Sequence, residues 1–337
     1  MIGIHDRKGS FSDRWIQYCK LQNIPFKIVN CYENDIIQQL EGCQALMWHH
    51  HHGNIKDIIF AKQLLYSIQQ SGKFVFPTFN DSWHFDDKLG QKYLLESIQA
   101  PMVPTYVFYD RKQSLEWAQV VNYPKVFKLR GGAGSSNVKL IKSIKECEKI
   151  ISKAFSTGIP QFDKWNNLRE QFLRFKNGKG NYLNIFKGLY RLFIPTKLEK
   201  ASTRQINYVY FQEFIPGNDG DIRVIIIGDK AFIIERKNRE NDFRASGSGI
   251  ISYPDNNSAN KACIELAFST TEKLKGECIA FDFILRSDGS PLIVELSYAF
   301  TTAGYDKCKG YWNRNLEWFE TPFNPQEWMV ELVKDKI

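Results

Sequence analysis

The segment Phe281–Ser297, near the end of the chain, constrains the fold most. Two apolar runs flank Asp288-Gly289 there, and an Asp-Gly pair so placed is a strong β-hairpin signal. Folding the segment symmetrically about that pair sets Asp282 opposite Glu295, with Ser297 two residues further along and so on the same face. Phe281, Phe283 and Leu285 then share the other, core-facing surface with Leu292, Val294 and Leu296. Two carboxylates side by side repel by roughly 3 kcal/mol at ~5 Å and an effective dielectric of ~20. Like charges directly opposite destabilise a sheet. A hard divalent cation would neutralise them, since Mg²⁺ takes one or two carboxylates together with phosphate oxygens. The plain alternative is an exposed hairpin with two solvated acids.

A second hairpin is legible from Asp221 to Arg236, folded about Gly228-Asp229 so that Asp221 faces Arg236. The first third reads differently. Strand-like runs at Met1–His5, Phe26–Asn30, Ala45–Trp48 and Lys73–Pro77 alternate with helical ones at Phe11–Leu21, Asp35–Leu40 and Ile55–Gln70. That alternation predicts an open α/β domain with a parallel sheet. A chain of 337 residues suits two or three packed subdomains. We divide it into an α/β domain over 1–100, a small subdomain over 101–160, a basic aromatic insertion over 161–207 and a C-terminal subdomain over 208–337.

Several function classes are excluded or disfavoured. No stretch approaches the roughly 18 consecutive apolar residues of a membrane span, and the charged start Met1–Lys8 lacks a signal-peptide pattern; the expectation is a cytoplasmic protein. The seven cysteines are scattered without a C-x-x-C pair, which argues against a disulfide framework or a zinc site and predicts free, buried thiols. All six histidines precede residue 85, and His49–His52 are consecutive where the run Ala45–Trp48 passes into a loop. They read either as a polar strand end or as a substrate-facing loop. Between 161 and 207, ten Lys and Arg face three acids, a net +7 out of the +8 of the whole chain. Aromatics interleave with those charges. No RNA-binding motif accompanies them, so nucleic acid is a poor fit. The segment reads as a solvated helical insertion or as a contact for anionic lipid head groups, at the inner membrane face, or an acidic glycan.

Three further motifs carry chemistry. Lys128 ends a strand and precedes the small-residue loop Gly131-Gly132-Ala133-Gly134-Ser135-Ser136, followed by a second strand. Such loops let backbone N–H groups approach phosphate oxygens while lysine adds a point charge. The spacing is not that of a Walker loop, and a strand after the glycines excludes a dinucleotide fingerprint. Tyr208–Gly217 is an apolar strand ending in Gln212-Glu213-Phe214-Ile215, able to wall in a purine base or simply buried. Asp242-Phe243-Arg244 precedes a flexible loop and offers an anion clamp.

The order of these motifs resembles that of the ATP-grasp superfamily. It is most similar to the branch of glutathione synthetase and ribosomal-protein glutamate ligases, over about residues 78–300 with 161–207 as an insertion. The resemblance implies an ATP-grasp fold of α/β (α+β) class: an N-terminal open parallel α/β domain, a small lid subdomain and a C-terminal, mainly antiparallel sheet. It implies ATP and Mg²⁺ (or Mn²⁺) as cofactors. Lys88 and Lys128 would lie at the nucleotide, and the loop with Gly131, Gly132, Gly134 and Ser135 would close over the phosphates. Gln212, Glu213, Phe214 and Ile215 would form the adenine hinge, with Asp221 as the ribose-side acid. Arg223 and Arg244 would be catalytic, facing phosphate or the substrate carboxylate, and Asp282, Glu295 and Ser297 would hold the metal. Ser297 departs from the usual Glu-x-Asn, replacing an amide oxygen with a hydroxyl. The tail Tyr298–Cys308, with Gly310-Tyr311-Trp312 and Trp318, resembles ATP-grasp proteins associated with surface-polysaccharide biosynthesis. The implied activity is ATP-dependent ligation of a small carboxylate, such as a sugar acid or amino acid, to an amine through an acyl phosphate. The alternative is an ATP-binding protein whose metal site has decayed at Ser297.

Overall fold

The structure, a computed structural model, describes residues 1–132, 137–161, 203–239 and 242–337 and single positions within 168–199. Met1–Phe85, Tyr93–Met102 and Ile215–Ile337 form one compact unit; Asp86–Lys92 and Val103–Phe214 form a second.

In the first unit, β1 (Ile2–His5), β2 (Phe26–Val29), β3 (Ala45–Met47) and β4 (Phe74–Phe76) pair in parallel in the order β2-β1-β3-β4. The crossovers are α1 (Phe11–Leu21), α2 (Ile36–Gln39) and α3 (Ile55–Gln70). Ser10 and Asn54 cap α1 and α3 by accepting backbone N–H bonds two residues on, which is why each helix starts there. Every residue of β1 and β3 is buried, as expected of parallel strands covered on both faces. Ile2, Ile4 and Met47 pack with Phe11 and Trp15 of α1, whereas Leu46 and Val75 pack with Ala61, Leu65 and Ile68 of α3. The short α4 (Phe79–Ser82) follows, and α5 (Lys88–Ser97) begins among the residues of the second unit and ends among those of the first.

The second unit contains β5 (Thr105–Phe108), α6 (Arg111–Val120), β6 (Lys125–Lys128), β7 (Val138–Ile141), α7 (Ile144–Ala154) and β8 (Val209–Glu213). Its sheet is antiparallel, in the order β5-β8-β6-β7. Phe127, Val209 and Phe211 meet Ala118 of α6 and Cys147 and Ile151 of α7 in one core. The helices thus cover one face. Lys128, Tyr210 and Gln212 alternate onto the other.

The remaining strands return to the first unit: β9 (Gly220–Ile227), β10 (Lys230–Lys237), β11 (Ile251–Ser252), β12 (Cys278–Leu285), β13 (Pro291–Ser297), β14 (Tyr311–Asn313) and β15 (Trp318–Phe319). They form a sheet ordered β13-β12-β9-β10-β14-β15, with β11 beside β10, and all neighbours are antiparallel. Helix α8 (Lys261–Leu274) packs Cys263, Ile264 and Ala267 against Val224, Ile226, Phe281 and Phe283. Helix α9 (Pro325–Asp335) packs Met329, Val330 and Val333 into the core that holds Ile225, Ile227 and Phe232 on the other face. The parallel sheet contributes Ile2 and Ile4 to that same core.

Both predicted hairpins form. Asp221 pairs with Arg236 in a continuous register, and Asp282 pairs with Glu295. The route to the second pairing differs from a symmetric fold. Leu285 pairs with Pro291, and Arg286 N–H donates to Ser290 O at 2.9 Å, so three residues turn the chain. Gly289 sits there at φ 82°, the left-handed position such loops require. A β-bulge then shifts the register between Asp282 and Phe283 and restores the Asp282–Glu295 match. Its consequence is a change of face. Ile293 pairs with Phe283 and is fully buried in the α8 core, while Val294 is only partly buried, in place of the predicted core position for Val294. All seven cysteines are free, six of them buried and Cys308 partly so.

Candidate active site

The sheet face turned toward β1 and α9 changes character along its strands. Following β9 it reads Ile227, Ile225, Arg223, Asp221; along β12 it reads Cys278, Ala280, Asp282; along β10, Phe232, Ile234, Arg236. The period of two that buries the isoleucines therefore also gathers the charged groups at one end. Across the strands, Glu295, Asp282 and Arg223 stand in register.

Asp282 is the hub. Arg223 donates from Nε to Oδ1 at 2.5 Å and from Nη2 to Oδ2 at 2.8 Å, and Arg236 adds Nη2 to Oδ2 at 2.8 Å. Arg236 also grips Asp221 in a fork of 2.6 and 2.7 Å. Two guanidinium groups thus meet two carboxylates, all largely buried. Burial pushes the Asp282 carboxyl up, but Arg223 and then Arg236 outweigh it and hold the group well below the usual carboxylate range. Gly220 lets the strands close here, because a Cβ on it would lie 2.3 Å from Arg236 O.

This answers the repulsion argument in a way the hairpin alone does not suggest. Arginines from β9 and β10 neutralise Asp282. A carboxylate has about four lone-pair sites, and the three guanidinium contacts leave room for one more ligand on Asp282. Glu295 beside it supplies a second hard oxygen donor, so the pair fits a Mg²⁺ ion that keeps waters or phosphate oxygens. Ser297 Oγ donates to Ala299 O at 2.8 Å and accepts from Ala299 N at 3.1 Å, a local turn. No group of three His, Cys, Asp or Glu is arranged to hold a metal among the described residues. Arg244 is clamped on Asp242 at 2.5–2.9 Å. Arg236 joins the site without a motif of its own, although its pairing with Asp221 is legible in the second hairpin.

The second unit gathers the other predicted residues. Lys128 Nζ donates to Gln212 Oε1 at 2.6 Å, and Gln212 Nε2 donates to Tyr210 Oη at 3.3 Å. Lys88 Nζ donates to Gly132 O at 3.1 Å; both lysines are buried. Asp86 accepts from Gly132 N at 2.8 Å, which anchors the entry to the glycine loop. Glu213 is held by Lys125 at 2.6 Å and by Tyr106 at 3.0 Å. Phe214 ends this unit, and Ile215 begins the last segment of the first one. Gly131 and Gly132 are placed; Gly134 and Ser135 lie outside the described residues, as does most of 161–207.

No protein-family model matches the sequence, and no curated protein does. Solved structures do. A RimK-domain ATP-grasp protein from Sphaerobacter thermophilus is similar at 13% identity and TM-score 0.55, covering 99% of both chains. The D-cycloserine synthetase DcsG is similar at 11% identity and TM-score 0.56, covering 98% of this chain and 99% of that one. The biotin carboxylase domain of 2-oxoglutarate carboxylase from Hydrogenobacter thermophilus, solved with MgADP and bicarbonate, is similar at 11% identity and TM-score 0.60, covering 99% of this chain and 69% of that one. The chain has the ATP-grasp fold.

Proposed function

We propose that the protein is an ATP-dependent carboxylate–amine ligase. The observation that carries this reading is Asp282 and Glu295 standing in register on the charged end of an ATP-grasp sheet. A carboxylate oxygen attacks the γ-phosphorus of ATP, the bond to the β,γ-bridging oxygen breaks, and ADP leaves. An amine then attacks the acyl carbon, loses a proton and expels phosphate, giving an amide. Catalysis of this kind is mostly positioning and charge neutralisation, which suits a site of lysines, arginines and acids.

In this reading Lys88 and Lys128 hold phosphate oxygens, and Gln212–Ile215 hold the base, with Asp221 on the ribose side. Asp282 and Glu295 hold Mg²⁺, which when bound would offset charge on the phosphates. Arg223, already fixed on Asp282, and Arg244 act on phosphate or the substrate carboxylate. We propose a sugar acid or amino acid as substrate, in surface-polysaccharide biosynthesis, with the basic 161–207 segment as a contact for an anionic glycan or membrane surface.

The test is ADP release on adding a carboxylate and an amine together. Glu295→Gln abolishes that release, and Lys128→Met weakens ATP binding by about tenfold or more, both with unchanged melting. Unaltered turnover in Glu295→Gln removes the acid pair from the reaction. The turn that occupies the Ser297 hydroxyl favours a second reading, an ATP-binding protein without ligase chemistry. Calorimetry separates the two, because a decayed site binds ATP with no dependence on Mg²⁺.

A further inference from the structure

The order in which strands are added to the parallel sheet of the first unit reverses at one place. From β1 the chain steps to β2 on one side and then crosses to β3 on the other, so the carboxyl ends of β1 and β3 flank a topological switch point. Open α/β sheets bind ligands in the crevice that such a reversal opens. Here the loop after β1 carries Arg7 and the loop after β3 carries His49–His52.

The two loops are joined to each other. Arg7 Nη2 donates to His49 O at 3.1 Å. Phe11 N, at the start of α1, donates to His49 Nδ1 at 3.1 Å, and the Phe11 and His49 rings stack at 3.8 Å. A ring nitrogen that accepts carries no proton, so the proton of the neutral imidazole lies on Nε2. Burial, reinforced by the charge of Arg7, keeps the ring uncharged. That Nε2–H is buried without an acceptor among the described residues, and so is Arg7 Nε–H. Arg7 has no carboxylate within ion-pair distance among the described residues. Buried donors left unmade are rare and call for an explanation. Both unused groups here are N–H donors, and one belongs to a cation. A partner that accepts hydrogen bonds and carries negative charge would satisfy both donors and complement the Arg7 cation.

The crevice is linked to the arginine–carboxylate cluster. Phe11 meets Phe300 at 4.9 Å, Phe300 meets Tyr305 at 5.0 Å, and burial pushes the Tyr305 hydroxyl up while the charge of Arg223 opposes that rise. One segment, 298–305, therefore lines both places.

We propose that the switch-point crevice binds the carboxylate of a small acid, with the Arg7 guanidinium supplying charge and His49 Nε2–H a second donor. That this acid is the one ligated rests on the ligase reading; its binding does not. The experiment uses the full chain with ¹⁵N-labelled histidine and no ATP, titrated separately with succinate, citrate and inorganic phosphate at millimolar concentration. The expected result is a shift of the His49 ring nitrogens with the carboxylates. Arg7→Gln weakens that response by about tenfold or more, Arg7→Lys retains part of it, and MgATP affinity stays within about twofold in both. The proposal is overturned if no carboxylate moves His49, if phosphate alone does, or if a folded Arg7→Gln responds like the parent chain. An intact His49 response in a protein that never releases ADP with any acid and amine breaks the ligase reading alone.

Discussion

The first unit buries polar groups in two contrasting ways. At the charged end of the large sheet, Arg223, Arg236, Asp221 and Asp282 are interlocked at 2.5–2.8 Å. At the ends of β1 and β3, His5, His49, His50 and His51 are uncharged, each held neutral first of all by burial. The difference lies in what each region tolerates. An interlocked set of charges fails when one member is removed, whereas a set of neutral imidazoles fails when protons are added.

Removing one member has the largest expected effect. Asp282→Asn leaves Arg223 without its carboxylate and Arg236 with Asp221 alone, and breaking a buried pair in this way costs on the order of 3–5 kcal/mol. Urea unfolding at neutral pH reads the loss. A destabilisation below about 1 kcal/mol would mean that solvent screens these charges as it does at a surface, and the contrast with the histidines would vanish.

Acid acts on the other region. An unfolded histidine takes up a proton near pH 6.5, while burial, with the charge of Lys62 second, lowers His50 to about 3. Its folded pKa is depressed, so the stability it confers is complete above ~6.5 and declines as the pH falls toward its folded value. By pH ~5 the linkage amounts to about 2 kcal/mol for His50. His49 adds to it with the same sign. The Asp282 carboxyl is held below the usual range, so its contribution is still intact at that pH. Unfolding free energies measured from pH ~7 to ~5 should therefore fall in the parent chain and fall less steeply in His50→Gln. Equal slopes would show that the histidines are not the groups that acid strikes first.

How much of this was written in the local sequence depends on how far apart the partners are. The elements of the first third follow from apolar period, and the caps Ser10 and Asn54 stand where their helices begin. Asp282 and Glu295 are partners across one turn, so folding the segment on paper pairs them. The same procedure misses Arg223 as a partner of Asp282, because β12 lies beside β9 only through the order of strands in the sheet. The hairpin alone offers a cation as neutraliser of the two acids and gives no sign of the two arginines on Asp282. The bulge before Glu295 was also illegible, since nothing in Ile293-Val294-Glu295 distinguishes it from a regular strand. The histidine run was visible as a strand end, but its contacts with Phe11 and Tyr298 join residues 38 and 248 positions apart.

The smallest effect concerns the wall that both regions share. Tyr298 is fully buried, and its hydroxyl donates to the backbone carbonyl of His50. Its ring also packs against His50 at 4.7 Å and Phe85 at 4.9 Å. Tyr298→Phe keeps the ring and removes the donor, leaving one buried carbonyl unpaired, so the expected loss is about 1 kcal/mol. Because no charge is touched, the slope of stability against pH should match that of the parent chain, and the melting curve should simply move down at every pH. A slope that changes in Tyr298→Phe would mean that this hydroxyl helps keep His50 uncharged. The two regions would then be coupled through residue 298, and their responses to acid could not be read as independent.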